Sequence, residues 1–199
     1  MAPGDETTGS GRVDPNLGST PEPRRPHHYG PVPRLDMSTW RLTVSGETAD
    51  GCLQAFTWED VCALPVAEVE APIMCAESGA GASHVWGGVP VAEVVRRVPP
   101  HKGVEFALVS AAYGYSSTVR VVDLLDSDAL LATSLDGQAL PPEHGGPLRL
   151  LLPHLYGWKS PKWLLEIHYC SEPTPGFWEG RGYHRRGLVA NGERYAHDG

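Results

Sequence analysis

Cys75 stands where a run of β-forming residues, Val66 to Met74, gives way to Ala76-Glu77-Ser78-Gly79-Ala80. Small neighbours leave room for a ligand to reach a thiolate, and soft thiolates suit thiophilic metals. The other reading of the same residue is a buried, inert cysteine. Further along come His144-Gly145-Gly146-Pro147-Leu148-Arg149 and Tyr156-Gly157-Trp158-Lys159-Ser160-Pro161-Lys162-Trp163. Glycines there let the backbone approach a ligand and offer N–H groups to a phosphate. Arg149 can give two parallel hydrogen bonds to one phosphate. Ser160 adds a hydroxyl, and Lys159 and Lys162 add positive charge. The set describes an anion site; a polar turn with solvated lysines is the alternative. A third group, Pro175 to His184 (PGFWEGRGYH), reads as an arm packed over the core or as the wall of a pocket.

Other chemistries lack their residues. The 9 histidines include no helix-spaced pair, so a zinc hydrolase is poorly supported. No G-x-S-x-G elbow, G-x-G-x-x-G turn or P-loop lysine is present. The 4 cysteines contain no C-x-x-C, which argues against a zinc ribbon, and reduced thiols are expected. A net charge of −8 without a basic stripe excludes a free nucleic-acid backbone as partner. No apolar run approaches the roughly 20 residues of a membrane helix. Residues 1–26 carry almost no large apolar side chain and no secretory core, so the reading is a disordered tail before a domain at 27–199, in the cytoplasm.

These groups need elements to hold them. Met37 to Ser45 alternates apolar and polar residues as a strand does. Thr57 with Asp60 three residues on predicts a capped helix stopped by Pro65. Val66 to Met74 is a strand ending at Cys75, and Ser78 to His84 reads as a small-residue loop. Val91, Val94, Val95 and Val98 share one helical face. Val104 to Ser110 and Tyr115 to Val122 read as paired strands about Tyr113-Gly114, and Asp126 to Leu131 as one helical turn. Leu130 to Ser134 runs into a hairpin at Asp136-Gly137. Pro147 to Pro153 and Lys162 to Tyr169 are further strands. Many short strands with few short helices predict an α+β fold in which β dominates.

In this order the segments resemble the sulfite oxidase-like, molybdopterin-dependent oxidoreductases, in a short, single-domain form. HYGPVPRLDMSTWRLTVSG resembles the entry into the domain, TWEDVCALP its first helix, and Cys75 with VWGGVPVAEVV the metal-binding cysteine and its following segment. LLATSLDGQALPPEHGGPLRLLLPHLYGWKSPKWLLEI is the most specific match, and PGFWEGRGYHRRG resembles the ending. The resemblance implies a β-rich fold of the sulfite oxidase molybdopterin-binding type and a molybdenum–molybdopterin cofactor. It implies Cys75 as metal ligand and catalytic anchor. It implies His144, Arg149, Ser160 and Lys162, with His28 and Tyr29, as residues that hold the pterin and its phosphate. Tyr113 or Tyr115 is a candidate wall of the substrate pocket.

The chemistry so implied is oxygen-atom transfer on a small substrate, with electrons exchanged through a separate haem or flavin partner. Many relatives carry Thr or an arginine after the cysteine; here Ala76-Glu77-Ser78-Gly79-Ala80 has a carboxylate and no arginine. A carboxylate beside the metal repels sulfite, so the expected substrate is neutral and of sulfoxide type. The changed loop also motivates an alternative, a non-catalytic molybdopterin-binding or interaction protein that has kept the fold.

Overall fold

The structure is a computed structural model that describes residues 30–197. His28 and Tyr29 lie outside the described residues. Five strands, β1 (Leu42–Gly46), β2 (Gln54–Phe56), β5 (Phe106–Ala111), β6 (Ser116–Arg120) and β10 (Leu164–Cys170), form one sheet in the order β2-β1-β10-β5-β6. β1 and β10 run parallel; the other pairs in this sheet are antiparallel. The second sheet contains β3 (Ala67–Cys75), β4 (Gly79–Pro90), β7 (Leu130–Leu135) and β8 (Gln138–Ala139) in that order, and β9 (Arg149–Leu151) pairs with β7. With three short helices, α1 (Trp58–Cys62), α2 (Val91–Arg97) and α3 (Val121–Leu124), this is the β-rich α+β fold expected.

Alternation explains the first sheet. In β5 the side chains of Ala107, Val109 and Ala111 point inward and those between them are only partly buried. Leu42 and Val44 of β1 and Ile167 and Tyr169 of β10 meet Ala107 and Val109 in one core, completed by Val91, Val94 and Val95 of α2 and by Leu148 and Leu150. Each such side chain fully buried stabilises the fold by about 1.5–3 kcal/mol relative to exposure. The Thr57 cap is as expected: its hydroxyl accepts from the Asp60 amide at 3.1 Å, and Asp60 accepts from the Thr57 amide at 2.8 Å.

Two segments differ from expectation. The small-residue run after Ser78 is not a loop, because β4 begins at Gly79 and pairs with β3 from Cys75↔Gly79 onward. A ladder needs only backbone groups, so alanine, glycine and serine extend it where their side chains face solvent. The helical turn expected over Asp126 to Leu131 lies earlier, at α3. Asp126 instead makes a turn, its carboxylate accepting from the Asp128 amide at 3.0 Å.

Candidate active site

Cys75 ends β3, partly buried, at the tight hairpin to β4. Burial raises its thiol pKa, but hydrogen bonds from the Ser78 side chain and backbone and from the Glu77 backbone outweigh burial and lower it overall. One residue back, Met74 bridges in parallel to Tyr156. A Cβ on Gly157 would lie 2.9 Å from the Ile73 side chain and 3.3 Å from the Met74 carbonyl, so glycine is what lets the 157–160 turn press against this strand.

That turn leads into the cations. Arg149 is 3% exposed and stacks on Trp86 at 5.2 Å. Its Nη1 donates to the His144 carbonyl at 2.8 Å and its Nη2 to the Ser160 carbonyl at 3.0 Å. Two of its donors thus staple the two expected ligand segments together, rather than both standing open to a phosphate. Ser160 is buried and its Oγ accepts from the Leu152 amide at 3.0 Å. Lys162 donates to the Glu143 carbonyl at 2.7 Å. Burial, then the Arg149 charge, holds the Lys162 ammonium down at about 7. Burial and then the Lys162 and Arg149 charges also lower His144. His144, Arg149, Ser160 and Lys162 are brought together, and the Arg149 and Lys162 charges disfavour the protonated forms of their neighbours.

Lys159 does not join them. Its side chain is 0% exposed and ion-paired with Glu179. The solvated or phosphate-facing lysine read from the sequence is instead an internal cation. Tyr115 is tied to the same turn, its hydroxyl donating to the Trp158 carbonyl at 2.7 Å. Tyr113 is 50% exposed and strained, with φ 59°. It meets Trp163, also at positive φ (56°), edge to face at 6.4 Å, next to Lys162. Left-handed aromatic residues cost on the order of 1–3 kcal/mol each and collect at functional sites.

The contacts of Tyr183 are invisible in the sequence. The Tyr183 hydroxyl donates to the Glu77 carboxylate at 3.2 Å, which brings the C-terminal arm over the Cys75 turn. Burial and this bond push the Tyr183 phenol up to about 12. Its ring packs on Trp158 at 5.0 Å and on Trp178 at 4.9 Å. Among the described residues no cluster of three or more His, Cys, Asp or Glu could hold a metal on protein ligands alone. A metal at Cys75 would therefore draw its remaining ligands from a cofactor. A thiolate at one end and a cation cluster at the other is the donor set that a metal–pterin phosphate needs.

The model of the oxidoreductase molybdopterin binding domain matches residues 29–178. The chain belongs to this family. A Bacillus subtilis protein described as the uncharacterized oxidoreductase YuiH is 37% identical over 95% of this chain and 94% of its own length. A putative protein-methionine-sulfoxide reductase subunit YedZ1 from Azospira oryzae is 30% identical over 78% of this chain and 59% of its own. The mitochondrial sulfite oxidase of Rattus norvegicus is 28% identical over 77% of this chain and 33% of its own. This chain thus spans little more than half of one of these longer relatives and a third of the other. The sulfane dehydrogenase SoxCD of Paracoccus pantotrophus shares the fold, with a TM-score of 0.67 over 74% of this chain and 42% of its own, at 21% identity. The protein is a molybdopterin-binding oxidoreductase of the sulfite oxidase family.

Proposed function

We propose that this oxidoreductase removes an oxygen atom from a small neutral donor of sulfoxide type, using a molybdenum–molybdopterin cofactor with Cys75 as the protein ligand to the metal. When bound, the cofactor supplies two-electron oxygen-atom transfer chemistry. His144, Arg149, Ser160 and Lys162 hold its phosphate, Arg149 chiefly by fixing the two segments that do so. Two electrons, from a separate haem or flavin protein, and two protons balance the conversion of sulfoxide to sulfide and water.

The observation that carries the choice of substrate is the Glu77 carboxylate held by Tyr183 two residues past Cys75. An anion such as sulfite meets like charge at that mouth, whereas a neutral sulfoxide meets no such repulsion and finds an aromatic wall to which sulfur binds well. The sulfoxide-reductase name of the Azospira oryzae relative supports the same direction.

Metal and pterin analysis of the purified protein, followed by stopped-flow reoxidation of the reduced form, tests this. Reoxidation by dimethyl sulfoxide, with sulfite a poor reductant, is the expected result. Full metal loading without turnover on any oxygen donor or acceptor would favour the non-catalytic alternative.

A further inference from the structure

The proposed reaction uses Tyr183 at the mouth of the Cys75 site but leaves open what keeps it there. The arm that carries it contains only a single short 3-10 turn, Glu179–Arg181, near that residue. The turn is closed by local bonds, Arg181 N–H to the Trp178 carbonyl at 2.8 Å, Tyr183 N–H to the same carbonyl at 3.1 Å and Gly182 N–H to the Glu179 carbonyl at 3.2 Å, and Tyr183 bridges to Tyr195 further along the same arm. Beneath it lies the Lys159 ammonium. Its Nζ donates to the Glu179 carboxylate, to the Arg185 carbonyl and, at 2.6 Å, to the Thr118 carbonyl of β6. Glu179 is anchored in turn by the Ser117 hydroxyl at 2.7 Å and the Thr118 amide at 3.2 Å.

The three hydrogens of one ammonium are thus spent on β6 and on the arm at both sides of Tyr183, four residues before it and two after. Lys159 also directly follows Trp158, whose ring touches Tyr183. A fully buried ion pair adds little to stability, since well-packed apolar residues of similar volume commonly replace one at no loss. Its use here is better sought in geometry.

We propose that Lys159 is a positioning residue, which fixes Tyr183 over Cys75 and Glu77 by gripping the arm at Glu179 and at Arg185. The grip makes the turn next to the cation cluster and the wall of the Cys75 mouth one rigid piece.

The test is the double variant Lys159→Met/Glu179→Met, which leaves neither a buried charge nor a cavity, since Lys159→Met alone strands the Glu179 carboxylate. Trypsin reads the grip without any turnover, because Arg185 is exposed while its carbonyl, the group trypsin attacks, is the one Lys159 holds. Cleavage after Arg185, followed by mass spectrometry, is expected to be about ten-fold faster in the double variant, with cleavage after Arg97 in α2 unchanged. In the loaded enzyme the double variant and Tyr183→Phe are expected to lower kcat/KM to a similar extent, and the combination to lower it no further, as for residues acting through one group. Unchanged cleavage after Arg185, an equal rise after Arg97, or multiplying losses would overturn the proposal. It rests on reading Tyr183 as part of the site: wild-type turnover in Tyr183→Phe alone overturns that reading, while the cleavage rate still decides the grip.

Discussion

The Tyr183 hydroxyl and the Glu77 carboxylate, 106 residues apart in sequence, meet at 3.2 Å beside Cys75. The pair joins the first half of the domain to its last arm at the point where substrate would enter. It also sets the charge of that point, because the carboxylate repels anions and the phenol that donates to it is neutral.

Exchanging Glu77 for glutamine removes the repulsion and keeps an acceptor for Tyr183. The expected outcome is a KM for sulfite lowered by about ten-fold, the effect of roughly 1.4 kcal/mol, with the KM for dimethyl sulfoxide nearly unchanged. Steady-state kinetics with both substrates checks it.

Cys75→Ser replaces a soft ligand by a hard, protonated one on a turn whose backbone hydrogen bonds stay in place. Molybdenum retained after purification should fall by at least about ten-fold, while the melting temperature of the metal-free protein stays within a few degrees. Elemental analysis beside a thermal melt separates the two effects.

The Lys162 ammonium, held at about 7 by burial and by Arg149, predicts a pH dependence. Its folded-state pKa lies below the ordinary lysine value, so the folded protein carries the penalty of a buried charge below pH 7. That penalty lifts as pH rises from about 7 toward about 10.4, where the unfolded chain still binds the proton. An anion binds the charged form, so stabilisation by sulfate should be large at pH 6 and small at pH 8.5. Thermal melts with and without sulfate at the two pH values measure it, and Lys162→Gln should abolish the difference.

Gly88 lies where β4 crosses β7, and an added Cβ would fall on the Leu131 carbonyl and the Ala132 Cα. Backbone cannot yield there without moving the sheet. Gly88→Ala should cost about 1–3 kcal/mol, as overpacking of a core does. Denaturant unfolding at constant m value is the measurement.

The elements of this domain were legible where period and punctuation agree. The Thr57–Asp60 box, the valine face of α2 and the Asp136-Gly137 hairpin each follow from residues close in sequence. The start of β4 was not, because Gly-Ala-Gly-Ala-Ser has the composition of a loop and becomes a strand only through its partner β3. In the site, the grouping of His144, Arg149, Ser160 and Lys162 was legible as a local cluster of cations and glycines. What each does was not. Lys159 and Lys162 lie three residues apart with the same chemistry. One is turned inward to Glu179 and the other stays near the surface beside Arg149, a difference set by contacts from distant strands. Tyr183 and Glu179 stood out only as members of an aromatic, glycine-rich arm, since no spacing reveals that one reaches Glu77, 106 residues away, or that the other pairs with a buried lysine 20 residues back.

The parallel pairing of β1 with β10 bears on how the protein is made. β10 is the middle strand of its sheet, between β1 and β5, yet it is the last strand to be synthesised. Until residue 170 leaves the ribosome, β2-β1 and β5-β6 are two separate hairpins, each with an open edge and an apolar face. Sheets completed by such distant pairing form slowly and expose sticky edges while they wait. The 157–160 turn lies just ahead of β10 and the Tyr183 arm just behind it. A pterin would therefore find its binding surface only after the segments from the 157–160 turn to Tyr183 have been synthesised, so the cofactor would have to bind after these parts of the domain have emerged rather than while they are being made.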